Sequence, residues 1–352
     1  MGGGSIGLGT AWHLTNLGHN VAIIDEHICK KCNKSNSQSG TTASLGVLMA
    51  NVFQRSTGRA WKLRQRSQNL WPIWIKELTT KEFQIKLENP LIKIATNEKE
   101  DLRIKTLIQT RQHLGIRHLN KEEKYFYEQL WPQNKYTGMV SMNDGRIDPI
   151  GLQQALKYNL KKTNINMLAA KVTSIRRQVT GKVNHWSLKL DNIGELSFEK
   201  VIICASLGSS GLIIDLGYNI PLEPVLGQAV EIKTSLSNET YLKLPPVLNI
   251  YGVNIIPTQD NQIYIGATLE RNTEPLPTYL EQMICLNNQA PQWIQTEEII
   301  HQWHGLRAKP INRSAPILEQ LEPGLILATG HYRNGILLTP ATAEFIANEI
   351  SK

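Results

Sequence analysis

Apolar and polar positions along this chain repeat with two periods, and the switches between them outline its elements. After an opening cluster of glycines, Ala11, Trp12, Leu14 and Leu17 recur at helical spacing, and Gly18 ends the run. Residues 21–24 are a short run rich in β-branched residues that closes on Asp25, which predicts a strand. Residues 59–78 place Trp61, Leu63, Leu70, Trp71 and Trp74 on a helix, with Pro72 as an expected kink. From 82 to 142 the pattern turns to short strands around a charged helix at 98–114. Asp148 and Pro149 open another helix, as N-cap and first residue, running to about 162. Val172, Ile175, Trp186, Leu188 and Leu190 mark a small antiparallel element, and 201–205 reads as a buried strand entering a turn at 206–209. Strands follow at 225–232, 247–257 and 262–268, then a last strand at 325–328, a turn at Gly330 and Gly335, and a helix at 340–350.

The chemistry concentrates at the start. Gly2, Gly4 and Gly7 form G-x-G-x-x-G, with Ser5 and Ile6 between the last two, directly before the first helix and its following strand. The order of parts matters more than the glycines, because Gly-rich turns are common. In a dinucleotide-binding turn the first glycine permits the bend, the second lets backbone approach a pyrophosphate, and the third lets helix and strand pack closely. The helix N-terminus offers free N–H groups to the phosphates, and Asp25 stands where a carboxylate accepts from ribose hydroxyls. The small residues of 39–50, Thr41, Thr42 and Ala43 among them, suit close packing against the same ligand. Only Met1 precedes Gly2, so the strand that launches such a turn is expected to have been lost to a late start site.

Nucleotide-type elements occur in three pieces, 1–80, 146–217 and 314–352, with strand-rich blocks at 81–145 and 218–313 between them. This predicts an α/β, Rossmann-like cofactor domain that is discontinuous, and an inserted α+β substrate domain on an antiparallel sheet. Nicotinamide enzymes usually keep their cofactor domain in one piece, which favours a flavin. A chain of 352 residues is long enough for two cores.

Composition removes several other classes. With 41% hydrophobic and 19% charged residues the chain is globular in type, and its longest apolar stretch, 201–216, is broken by Ser and Gly. A motif starting at residue 2 leaves no place for a signal peptide, so a cytoplasmic location is expected. The net charge of +8 is scattered after a basic start at Arg59, Lys62, Arg64 and Arg66, a solvated surface rather than a nucleic-acid footprint. Cys29 and Cys32 form C-x-x-C in a polar loop without a second pair, while Cys204 and Cys285 sit in apolar runs. His301 and His304 lack a third ligand, so no metal is expected.

Five segments carry a family likeness: GGGSIGL at 2–8, GRIDPIGL at 145–152, GQAVEI at 227–232, WHGLRAKP at 303–310 and TGHYRNGILLTPAT at 329–342. Together they resemble the D-amino-acid oxidase superfamily over nearly the whole chain, and most closely the glycine oxidases of thiamin biosynthesis. The resemblance implies a D-amino-acid-oxidase-like fold and non-covalent FAD, with its pyrophosphate on residues 2–7, its adenosine ribose at Asp25 and its adenine beside Val172. It also implies that the turn holding Gly330, Tyr332, Arg333, Asn334, Gly335, Ile336 and Leu337 meets the flavin's pyrimidine edge. Arg307 corresponds to the family's substrate arginine, whose planar guanidinium suits a carboxylate. Arg333 is a second candidate at the pocket mouth. Two positions depart from the pattern. Asn254 stands where the family has a carboxylate-binding tyrosine, with Tyr251 expected to compensate, and Ser206 stands where glycine is usual.

The activity so implied is oxidative deamination of glycine, or of a small amine such as sarcosine or D-alanine. A hydride passes from Cα to the flavin, water hydrolyses the imine to an oxo acid, and oxygen is reduced to hydrogen peroxide. The small amino acid and oxygen are then the partners, thiazole synthase joins them by analogy, and a homo-oligomer is expected. Two alternatives stay open here. One is a D-amino-acid or sarcosine-type oxidase or dehydrogenase, favoured by the shorter Asn254. The other is a non-catalytic flavin-binding remnant, motivated by the strand reduced to Met1.

Overall fold

The helix that follows the glycine turn, Ser5–Asn16, is the hub of the first body. Its residues are almost all apolar or small, and Leu8, Ala11, Trp12 and Leu14 are buried. It packs against Pro149–Lys162 and Gly335–Ile350, and the latter lies on Gly58–Leu78. Edge-to-face contacts of Trp74 with Trp12 (4.7 Å) and Trp71 (6.0 Å) fill the helical layer. The computed structural model describes all of residues 1–352 except 31, 35–38, 54, 181–182 and 296–297.

Beside these helices lie short parallel pairs: Ala22–Ile24 with Asn166–Leu168, and Val201–Ile203 with Leu325–Thr329. Ile317–Glu322 runs antiparallel on the outer side of Leu325–Thr329. Met1 and Gly2 link the two pairs. The Met1 nitrogen donates to the Ile202 carbonyl (2.7 Å), the Cys204 amide donates to the Met1 carbonyl (2.8 Å), and the Gly2 amide donates to the Ile24 carbonyl (2.9 Å). A separate antiparallel element holds Val172–Thr180, Val183–Leu190 and Gly194–Phe198.

The second body is an eight-stranded sheet. Its order is Ile299–Pro310, Leu222–Lys233, Gln262–Gly266, Val253–Pro257, Val247–Ile250, Leu91–Ile94, Gly138–Ser141, Ile116–His118. One face buries Val230, Leu248, Ile255 and Ile265 against Leu280 and Met283 of helix Pro277–Ile284. The other packs Ala229, Val247 and Ile256 against Ile104, Leu107 and Ile108 of helix Glu98–Thr110. The sheet is not wholly antiparallel. Val247–Ile250 runs parallel to Leu91–Ile94 where the two sequence blocks meet, a pairing that no tight hairpin connects.

Two further expectations are corrected. Residues 247–257 are not one strand, because Tyr251 (φ 52°) and Gly252 (φ 76°) make a left-handed two-residue turn between two antiparallel strands. The last helix starts at Gly335, ahead of Pro340, which it carries internally. Among the described residues no helix is long and apolar enough to cross a membrane.

Candidate active site

The glycine turn is built by exclusion. Gly2 has φ 105°, and a Cβ there would lie 2.4 Å from the Cys204 carbonyl oxygen. A Cβ on Gly7 would lie 1.9 Å from the Gly2 carbonyl oxygen. Only glycine at both positions lets the turn fold back under its own helix. Gly4 caps that helix without a side-chain bond, and the Ser5 amide reaches Thr41 Oγ1 at 3.1 Å. Asp25 braces the same turn, accepting from the Gly3 amide (2.7 Å) and the His27 amide (2.8 Å).

Above the turn opens a cavity of about 840 Å³, within the usual range for cofactor and small-molecule sites. Gly2, Gly4, Ser5, Ile6, Asp25, Thr41, Ala43 and Val172 line it, as do Arg307, Asn254, Gly330 and the run from Tyr332 to Ile336. Four expected residues are not in the wall. Gly7 lies beneath the turn. Thr42 turns to Gln153, whose Nε2 donates to its hydroxyl at 3.1 Å. Leu337 is buried in the helical layer, where its carbonyl accepts from Trp71 Nε1 at 3.0 Å. Tyr251 packs against the core beneath the sheet, and only Gly252 and Asn254 of its hairpin reach the cavity.

Two turns leaving adjacent parallel strands contribute to the wall. Ser206 and Tyr332 both have φ 53°, so the serine occupies a left-handed position that glycine adopts without strain. Thr329 ties the turns together, donating to the Ser206 carbonyl at 2.9 Å. His331 is buried with Nε2 3.0 Å from Thr342 Oγ1, and burial pushes its pKa down to about 3, so the ring is neutral. The helix beginning at Gly335 has no side-chain cap and no acid in its first turn, which leaves its positive dipole end on the cavity.

Arg307 extends from Ile299–Pro310 across the neighbouring strand at Gly227. A Cβ on Gly227 would fall 2.2–2.4 Å from the guanidinium. Nη1 donates to the carbonyls of Leu226 and Thr268, each at 3.1 Å, and no carboxylate bonds this group among the described residues. Burial, and after it the like charge of Arg333, push its pKa down to about 10, opposed by Tyr332 and Glu270; it remains charged at neutral pH. The buried Glu270 carboxylate is held by Gln228 Nε2 (2.9 Å), the Leu276 amide (3.0 Å) and the Thr268 hydroxyl. Gly227, Thr268 and Glu270 were not singled out from sequence as site residues. The one local signal was a glycine inside an otherwise apolar strand, which marks close approach by another group. Gly227→Ala is expected to push Arg307 aside and lower kcat/KM about a hundredfold while FAD stays bound, since a 1 Å misplacement costs that much. Steady-state kinetics with a flavin absorbance spectrum checks both parts.

Comparison with known proteins settles the cofactor. The family described as FAD dependent oxidoreductase matches residues 1–349. The chain belongs to this family. Its cofactor is FAD, and the residues present fit it: a turn that any Cβ would block, a helix end free of side-chain caps, and an acid closing the next strand. Glycine oxidase of Geobacillus kaustophilus (strain HTA426) is 27% identical over 364 residues, covering 100% of this chain and 92% of that protein. The crystal structure of glycine oxidase from Geobacillus kaustophilus superposes with a TM-score of 0.82 at 25% identity, covering 99% of this chain and 93% of that one. The bifunctional protein ThiO/ThiG of Nostoc sp. (strain PCC 7120) is 36% identical over 141 residues, 37% of this chain and 20% of that protein.

Proposed function

We propose that this protein is an FAD-dependent glycine oxidase, converting glycine, oxygen and water to glyoxylate, ammonia and hydrogen peroxide. The observation that carries the proposal is Arg307, a charged guanidinium in the FAD cavity whose hydrogen-bond partners among the described residues are carbonyl oxygens alone. A substrate carboxylate supplies the missing counter-charge. Bound FAD supplies the acceptor for the hydride that leaves Cα. The protein's part is orientation: Arg307 fixes the carboxylate, and the rigid sheet fixes Arg307. Neutral His331 adds no charge to compete for the carboxylate.

Anaerobic titration of the purified protein with glycine tests this. Bleaching of the oxidised-flavin absorbance, with peroxide on readmission of air, is the expected result; a flavin left oxidised by glycine sinks it. Because the ammonium must lose a proton before hydride leaves, kcat/KM is expected to rise from neutral to alkaline pH. Arg307 carries its charge below about pH 10, so the rise continues to that point. A flat profile between pH 7 and 9 counts against the proposal.

A D-amino-acid or sarcosine-type oxidase or dehydrogenase is the second reading, favoured by the short Asn254 in the cavity wall. Turnover of D-alanine and sarcosine beside glycine, with oxygen or a dye acceptor, separates the two. The proposal carries with it the division into a cofactor domain (1–80, 146–217, 314–352) and a substrate domain (81–145, 218–313), a cytoplasmic location and a homo-oligomer. It also includes thiazole synthase as a partner in thiamin biosynthesis. The bifunctional relative ThiO/ThiG, with a region similar to part of this chain, supports that link.

A further inference from the structure

Three adjacent strands of the large sheet carry a line of polar side chains that ends at the FAD cavity. Lys93 is opposite Asn249 across the parallel pair, and Asn249 is opposite Asn254 across the hairpin. Residues in register share a sheet face. Lys93 Nζ donates to Asn249 Oδ1 at 2.8 Å. Asn249 Nδ2 donates to Asn254 Oδ1 at 2.9 Å and to the Val253 carbonyl at 3.2 Å. Glu100 Oε1 stands 3.7 Å from Lys93 Nζ and supplies its counter-charge.

The direction of this chain is forced. An ammonium has donors and no acceptor, so the Asn249 amide must present oxygen to Lys93 and its NH2 group to the other side. Asn254 must then accept with its oxygen, which leaves its own NH2 group to donate. Asn254 lies in the cavity wall with Arg307. We propose that Lys93 and Asn249 are positioning residues that lock Asn254 as a hydrogen-bond donor toward the substrate carboxylate. The inference rests on the amino-acid reading of the site. It assigns the asparagine the binding role left open by the absence of tyrosine there, and it makes this wall of the pocket selective for a carboxylate over a group that needs an acceptor.

The test is titration of the FAD-loaded protein with acetate, followed by perturbation of the flavin spectrum and so independent of turnover. Lys93→Met removes one of the two contacts that orient the Asn249 amide, the Val253 carbonyl being the other, and is expected to weaken acetate several-fold, up to about tenfold, the value of a hydrogen bond to a charged group. The KM for glycine rises in parallel while kcat is unchanged, and Lys93→Arg, again donor-only, restores the affinity. Asn249→Asp keeps the bond to Lys93 but cannot donate to Asn254, so the loss of acetate affinity is at least as large. The decisive comparison is a double-mutant cycle. In an Asn254→Ala background Lys93→Met is expected to have no further effect on acetate. An equal loss in both backgrounds, or acetate affinity within twofold of the parent in Lys93→Met and Asn249→Asp, overturns the proposal. A parent protein that binds acetate and responds in this way, but is not bleached by glycine, supports the positioning chain and removes glycine as the substrate.

Discussion

Arg307→Met is expected to lower kcat/KM for glycine about a thousandfold and to leave FAD content unchanged. A charge-assisted, forked contact to a carboxylate in a desolvated pocket is worth about 4 kcal/mol when one partner is removed, and 1.4 kcal/mol is a factor of ten. The surroundings make the loss hard to repair. Arg307 is placed by two carbonyls and by the gap over Gly227, a slot that fits a planar group. Arg333 also lines the cavity, but it is exposed and does not replace a group held from behind by Leu226 and Thr268. Arg307→Lys is expected to recover only part of the rate, because an ammonium cannot make the fork. Kinetics with glycine, alongside the flavin spectrum of each variant, decides the matter. A loss below tenfold, or a colourless protein, removes Arg307 from the substrate-binding role.

The second large effect is on stability. Asp144 is fully buried, and its carboxylate accepts from the amides of Ala50 (2.7 Å), Asn51 (3.0 Å) and Val52 (3.1 Å) and from the Ser141 hydroxyl (2.9 Å). From the other side Arg111 donates to the carbonyls of Asn51 and Phe53. The turn is therefore held at both its donors and its acceptors, and its neighbours Met49 and Phe53 line the FAD cavity. Asp144→Ala strands three buried amides, each costing about 1–3 kcal/mol, so a loss of about 4 kcal/mol or more is expected in urea unfolding followed by a folded-state probe. Asp144→Asn keeps one acceptor oxygen and is expected to lose about half as much. A midpoint unchanged in Asp144→Ala contradicts the role of this carboxylate.

Neither Asp144 nor the Lys93 chain stands out in the sequence, and the reason is the same for both. Asp144 binds amides more than ninety positions away, and Lys93 reaches Asn249 across a parallel pair formed by separate blocks of sequence. Nothing in the residues flanking either one announces the partner. Tyr251 shows the complementary failure. Its nearness to Asn254 in sequence suggested a shared site, but the left-handed turn at 251–252 reverses the chain and places Asn249 opposite Asn254 instead. A single turn decides which neighbours share a face. Thr42 and Leu337 sit within stretches that border the cavity, yet their side chains leave it.

What the sequence determined by itself is whatever contiguous residues settle through local sterics and hydrogen bonding. The glycine turn and its helix, the strand closing on Asp25, and Asp148 capping the helix at Pro149 through the Gly151 amide (2.7 Å) are of this kind. The likeness of whole segments then pointed to FAD and to Arg307. Tertiary structure alone decided the rest: the bare strand position at Gly227 that Arg307 crosses, the Glu270 network behind it, and the order of amides ending at Asn254. Those depend on sheet register between segments up to 156 residues apart, and across such a gap register is set by which face the strands bury rather than by a local turn.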